Sequence, residues 1–359
     1  MKGMFKAKGL RTGSLVIKGV LAATLATASI GAANATTTIQ ETGSSLLYPL
    51  FNLWVPAYSK AHPDVQINAA STGSGTGIAQ SIAGNVQLGG SDAYLSGAMM
   101  KKHPHMLNIP VAISSQMVNY NLPGLNGKHI KLSGPVLSRI YEGTATYWDD
   151  SAIKRMNPGV DLPHHRIVPV HRSDGSGDTF LFTQYLSFSH PYWNKKYGYG
   201  TTVNWPAVQG EIGATGNPGM VQALKDNPYS VAYIGISYKG QIDKDGLGEA
   251  KLKNRSGNFV LPTVKTVPAA AAAMVPKTPK DERVSLIFAP GHNAYPIINY
   301  EYTIVSADQG DMAAPLKQFL NWAVSTKGGN ASEFLKPVNF MPLPQKAAEL
   351  TRAQIAKIH

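Results

Sequence analysis

Residues 166–186 read Arg166-Ile167-Val168-Pro169-Val170, then His171-Arg172-Ser173-Asp174-Gly175-Ser176-Gly177-Asp178-Thr179, and run on through Phe180, Leu181, Phe182 and Tyr185 to Leu186. A β-type run over Arg166–Val170 passes through a Ser/Gly-rich turn into a helix expected over Thr179–Leu186. The N-terminus of a helix carries unpaired N–H groups and about half a positive charge, and glycine lets the backbone come close to a ligand. Such a junction is a cradle for an oxyanion. Arg172, at the end of the run, can point a planar fork of donors into the same space.

The same plan recurs twice. Thr37–Gln40 leads through Thr42-Gly43-Ser44-Ser45 into a helix expected over Leu46–Lys60, and Val65–Ala69 leads through Ser71-Thr72-Gly73-Ser74-Gly75-Thr76-Gly77 into one over Thr76–Ala83. One turn of this kind alone reads as ordinary helix capping. Three of them, in a chain that alternates β-runs with helical stretches, point to an α/β fold with a converging anion site. Asp92 follows Gly89-Gly90-Ser91. A carboxylate only accepts hydrogen bonds, so beside an oxyanion it needs one that still carries a proton, as phosphate does near neutral pH and sulfate does not. Asp178 sits where an acid also favours the helix dipole, so a capping role and a ligand role both stay open.

Composition agrees with a globular exported protein. The chain has 359 residues, 43% of them apolar and only 15% charged, which excludes disorder, collagen and coiled coil. It has no Cys, which removes disulfides, thiolate metal sites, a thiol nucleophile and a lipid carried on Cys. Lys2, Lys6, Lys8, Arg11 and Lys18 precede a short apolar run over Val20–Ile30 and the cleavage pattern Ala33-Asn34-Ala35. Residues 1–35 therefore read as a signal peptide cleaved after Ala35, since the run falls short of the ~20 residues that span a bilayer. Without those five basic residues, 28 Lys+Arg of the original 33 face 21 acids, a mildly basic balance. No basic stripe interleaved with aromatics is present, so no nucleic-acid partner is expected.

The chain resembles the periplasmic phosphate-binding proteins of high-affinity phosphate ABC transporters over essentially all of its mature length. The likeness rests on Gly43-Ser44-Ser45, Thr72-Gly73-Ser74-Gly75, Gly90-Ser91-Asp92-Ala93-Tyr94-Leu95-Ser96, Asn121-Leu122-Pro123-Gly124-Leu125, Ile140-Tyr141-Glu142-Gly143, Trp148-Asp149-Asp150, Tyr233-Ile234-Gly235 and, most specifically, Arg172-Ser173-Asp174-Gly175-Ser176-Gly177. The resemblance implies a type II periplasmic binding protein with two α/β lobes, residues 36–119 with 297–359 and residues 120–296, joined by two hinge crossings with phosphate between them. It also implies that Ser45 gives a hydroxyl and an N–H, Leu46 an N–H, and Ser74 a hydroxyl and an N–H. Asp92 would accept the phosphate proton, and Arg172 would pair with two phosphate oxygens while Asp174 orients it. Ser176, Gly177 and Asp178 would close the shell; members of the family have Thr or Asp at this last position. No metal, cofactor or catalytic residue is implied. The partners would be inorganic phosphate and the permease subunits of an importer with a cytoplasmic ATPase, and the protein would be a periplasmic monomer.

The alternative is an exported phosphatase or phosphoesterase with Ser45, Ser74 or Ser176 as nucleophile and His171 nearby. It lacks a G-x-S-x-G elbow, an H-E-x-x-H motif and the Lys of a phosphate loop. The stretch near Pro268–Ala273 reads as a surface helix or connector.

Overall fold

Met106–Tyr120 is an unbroken strand of 15 residues, all buried, and it ties the whole sheet together. A strand buried along its whole length belongs in the middle of a covered sheet rather than at an edge, even though this one carries Asn108, Ser114, Ser115, Gln116 and Asn119 among its apolar residues. In the computed structural model, which describes residues 36–359 besides Met1, this strand is β4. The expected signal peptide and its cleavage point lie outside the described residues. The other strands are β1 Thr37–Gly43, β2 Val65–Ser71, β3 Leu88–Ser91, β5 Lys131–Leu132, β6 Val168–Arg172, β7 Ile212–Ala214, β8 Ser230–Gly235, β9 Gly248–Glu249, β10 Lys251–Lys253, β11 Phe259–Val260 and β12 Ile298–Ser306.

The main sheet runs β2-β1-β3-β12-β4-β8-β6-β7 with β9 beside β4, and β11-β10-β5 form a small second sheet. Pairing along β4 changes partner: Met106–Ser115 run antiparallel to β12, whereas Gln116–Tyr120 run antiparallel to β8. On one side β1 pairs in parallel with β2 and β3, and on the other β6 pairs in parallel with β7 and β8. Parallel neighbours need crossovers, and helices supply them: Tyr48–Ala61 and Ser74–Ile82 on the first side, Gly177–Ser189 and Gly216–Asp226 on the second. In such sheets ligands bind outside the carboxyl ends of the strands, and all the Ser/Gly-rich turns lie there.

The three strand-to-helix units expected from sequence are present, with ends shifted by a few residues. The first helix starts at Tyr48 rather than Leu46 because Pro49 fits the first turn. Aromatic packing holds its far side: Trp54 stands edge-on to Phe319 at 6.3 Å and donates its indole N–H to Gly329 O at 2.9 Å. The second half has its own aromatic core, in which Phe182 stacks on Tyr233 at 4.5 Å and meets Tyr141 at 4.9 Å. The Pro/Ala stretch is a helix, Thr266–Met274, and it is not wholly superficial, since Val267, Ala270 and Ala271 are buried.

Candidate anion-binding site

Four turns converge at the carboxyl ends of the parallel strands. At the end of β1, Ser44 Oγ accepts the N–H groups of Leu46 at 3.1 Å and Leu47 at 3.0 Å, so its own proton is free to go to Asp92 Oδ1. Ser74, the first residue of its helix, donates to Asp92 Oδ2 at 3.4 Å and accepts the Asp92 N–H at 3.2 Å. Ser45 Oγ accepts both the backbone N–H and the side-chain amide of Asn217, each at 3.0 Å. A hydroxyl that already receives two N–H groups has its own proton left to give, so Ser45 is a donor in waiting. Ser176 Oγ accepts the Thr179 N–H at 3.1 Å and caps the helix, leaving the N–H groups of Gly177 and Asp178 at its mouth.

Among the described residues Arg172 is the one cation of the cluster, and its side chain is only 1% exposed. Asp174 grips it with both oxygens, Nε to Oδ1 at 2.6 Å and Nη2 to Oδ2 at 2.5 Å, and Asp178 Oδ2 takes Nη1 at 3.0 Å. Asp178 is further held by Gln116 Nε2 on Oδ1 at 2.9 Å and by Asn217 Nδ2 on Oδ2 at 2.6 Å. The two halves of the sheet touch where Gly75 donates its N–H to Gly175 O at 2.8 Å. A Cβ on Gly177 would run into the side chains of Asp92 and Ser74, so only glycine lets that helix mouth approach so closely.

Burial sets the protonation of the carboxyls. Desolvation, reinforced by the charge of Asp178, pushes Asp92 up from 3.8 to about 7, although Ser44 and Arg172 pull the other way. Asp174 is also half-buried, yet the Arg172 guanidinium holds it below the ordinary carboxylate range. For Asp178, burial outweighs Arg172, Gln116 and Asn217, and its pKa is raised. Burial alone would lower Arg172, but Asp174 and Asp178 more than offset it and the guanidinium stays charged. The result is one fixed cation, donors from three helix mouths and one acceptor carboxyl: a set matched to a small oxyanion that carries a proton.

Residues 29–327 match the model of the PBP superfamily domain. The chain is 35% identical over 332 residues to the phosphate-binding protein PstS of Methanocaldococcus jannaschii, covering 87% of this chain and 84% of that one. It is 30% identical over 333 residues to the protein of the same name from Haemophilus influenzae, covering 92% of this chain and 95% of that one. The chain belongs to the PstS phosphate-binding protein family. The likeness extends to solved folds: a periplasmic phosphate-binding protein, PfluDING, bound with phosphate aligns with a TM-score of 0.69 at 21% identity, over 88% of this chain and 93% of that one. A phosphate-binding protein from Stenotrophomonas maltophilia aligns with a TM-score of 0.67 at 20% identity, over the same shares. The α/β architecture is thus the type II periplasmic binding protein fold of the PstS family.

The structure brings Ser45, Leu46, Ser74, Asp92, Arg172, Asp174, Ser176, Gly177 and Asp178 into one buried cluster, with two details that sequence reading did not foresee. The Leu46 N–H is turned onto Ser44 Oγ, and both Asp178 oxygens are taken by protein donors. Four further residues complete the cluster: Ser44, Gln116, Asn217 and Glu301. Asn217 had a readable signal. Thr215-Gly216-Asn217-Pro218-Gly219 follows β7 and opens a helix, a fourth junction of the same kind as the other three. Its Oδ1 also accepts the Gly235 N–H at 2.8 Å, which ties this junction to the end of β8.

Proposed function

We propose that the chain binds inorganic phosphate without covalent change and delivers it to an ABC-type importer in the membrane. The observation that carries this reading is the juxtaposition of an Arg172 fork, locked by Asp174 and Asp178, with the acceptor carboxyl of Asp92 across helix mouths that offer only N–H and O–H donors. The relatives named above are phosphate-binding proteins, and the family is one of substrate-binding proteins rather than enzymes.

In this reading Arg172 pairs with two phosphate oxygens, Ser45, Ser74 and Ser176 give hydroxyls, and Gly177 and Asp178 give backbone N–H groups. Asp92 takes the proton of the ligand. Asp178 acts with its side chain on Arg172 rather than on phosphate. Each hydrogen bond to a charged ligand contributes ~1.5–3 kcal/mol, and a net of about −8 kcal/mol after desolvation and ordering costs already gives micromolar affinity. Residues 36–119 with 297–359 form one lobe and residues 120–296 the other. Phosphate contacts both and favours the closed form, and the contact of Gly75 with Gly175 belongs to that form. The mature protein begins after Ala35, acts as a periplasmic monomer and docks on permease subunits driven by a cytoplasmic ATPase. No helix among the described residues is long and apolar enough to cross a membrane.

A phosphatase is not supported. The serines are engaged with Asn217, Asp92 and the Thr179 N–H rather than with a histidine, while His171 stacks on Trp205 with centroids 5.1 Å apart. Equilibrium dialysis of the mature protein against labelled phosphate tests the reading. One phosphate retained per chain and released unchanged is expected; no retention, or turnover of a phosphoester, overturns it.

A further inference from the structure

Beneath the site, Glu301 is completely buried in β12. Tyr302 pairs with Ser91 in the antiparallel register of β12 on β3, so the next residues along, Glu301 and Asp92, stand opposite each other, and each carboxyl acts on the protonation of the other. Like charges directly across a sheet repel, and two buried carboxylates in contact cannot both stay ionised. The register of β12 on β4 shifts between Glu301 and Tyr302, an irregularity of the kind that re-aims a side chain.

The partners of Glu301 divide its two oxygens. Oε1 accepts from Ser114 Oγ and from Asn299 Nδ2 at 2.9 Å. Among the described residues Oε2 has no hydrogen-bond donor, and the side chain is fully buried. An orphaned carboxylate oxygen against a second carboxyl is costly, whereas a protonated one is a donor facing an acceptor.

We propose that Glu301 is a positioning residue for phosphate recognition: it keeps a proton on Oε2 and donates it to Asp92, fixing Asp92 as an ionised acceptor aimed at the ligand. This deepens the phosphate reading and rests on it. Asp92 must be ionised to accept the ligand's proton, yet it is buried, and the hydrogen bonds from Ser44 and Glu301 stabilise its charge when Ser74 turns its hydroxyl to the ligand. The groups that face the pair are Ser114 from β4, Asn299 from β12 and Ser44 and Ser74 from the first two turns. The charges of Asp178 and Arg172 also act on Asp92. Burial and the neighbouring Asp92 both raise the pKa of Glu301 well above the ordinary range, in keeping with a retained proton.

When the proton finally leaves Glu301 at alkaline pH, two facing carboxylates result and the acceptor is displaced. Glutamine at this position cannot lose the corresponding proton. Phosphate titration by calorimetry between about pH 7 and about pH 9.5 should therefore show about a tenfold loss of affinity in the native protein and less than about a threefold loss in Glu301→Gln. Glu301→Leu, an apolar side chain in the same space, serves as a second variant and should lack the alkaline loss as well. In parallel, the infrared difference spectrum of native minus Glu301→Gln protein at about pH 7.5 should contain the carbonyl band of a protonated acid. An equal alkaline loss in all three proteins, or a difference spectrum with only carboxylate bands, overturns the proposal. If the native protein binds no phosphate, the functional reading fails instead, and the infrared spectrum still decides where the proton sits.

Discussion

Asn217 Nδ2 lies 2.6 Å from Asp178 Oδ2, and the same amide reaches Ser45 Oγ at 3.0 Å. One side chain thus fixes both the acid that steadies Arg172 and the Ser45 hydroxyl oxygen. Removing it leaves Asp178 short of a donor and lets Ser45 turn its proton elsewhere. Asn217→Ala is expected to weaken phosphate binding about tenfold to a hundredfold, the range for losing a hydrogen bond to a buried charge. Calorimetric titration checks it; affinity within about twofold of native would show that the amide is dispensable.

Among the described residues Arg172 is the one cation paired with Asp174 and with Asp178, so its removal strands both acids. Arg172→Ala is expected to cost about 3–5 kcal/mol of stability, because breaking a buried pair leaves uncompensated charge. Arg172→Lys keeps the charge but not the fork, and should fold while losing most phosphate affinity. Chemical denaturation with a parallel binding titration separates the two effects.

The stability of the ligand-free protein should fall as pH rises. Burial raises Asp92 to about 7 and Glu41 and Glu282 to about 8, each from the ordinary carboxyl range. A group whose pKa is higher folded than unfolded binds more protons in the native state. Its contribution is complete below the unfolded value and is lost as pH rises through the folded one. The melting temperature should therefore decline between about pH 4 and about pH 8 on this account. Glu41→Gln should flatten the decline; a variant that keeps the full native slope would place the titration elsewhere.

Gly175 has Gly75 so close that a Cβ on it would sit 3.1 Å from the Gly75 Cα. Gly175→Ala should hold the two turns apart and reduce phosphate affinity about tenfold while leaving the melting temperature within a few degrees, since only the contact between the two turns is disturbed. Equal affinity would show that the turns tolerate separation.

The strand-to-helix junctions were legible because their chemistry is local. Glycine, serine and an arginine within a few residues of one another state both the turn and its use, as in Arg172 to Gly177. The pairings of the supporting residues were not, even where the junction itself was readable as for Asn217, because the partners are remote in sequence: Gln116 meets Asp178 across 62 positions and Asn217 meets Ser45 across 172. Glu301 left a trace, a lone acid in the buried run Ile298–Val305, but only the pairing of β12 with β3 places it under Asp92. The carboxylate-acceptor argument for Asp92 could be made from sequence, whereas the engagement of both Asp178 oxygens required the structure.

In the proposed function, selectivity rests on an acceptor carboxyl that demands a proton from the ligand. Calorimetric titration of phosphate and sulfate into native and Asp92→Asn protein at neutral pH tests it most directly. One-to-one phosphate binding and a sulfate affinity lower by about 10⁴-fold are expected in the native protein, with that ratio reduced at least about a hundredfold in Asp92→Asn, whose amide can donate to sulfate. Comparable affinities for the two anions in the native protein, or an unchanged ratio in the variant, would contradict it.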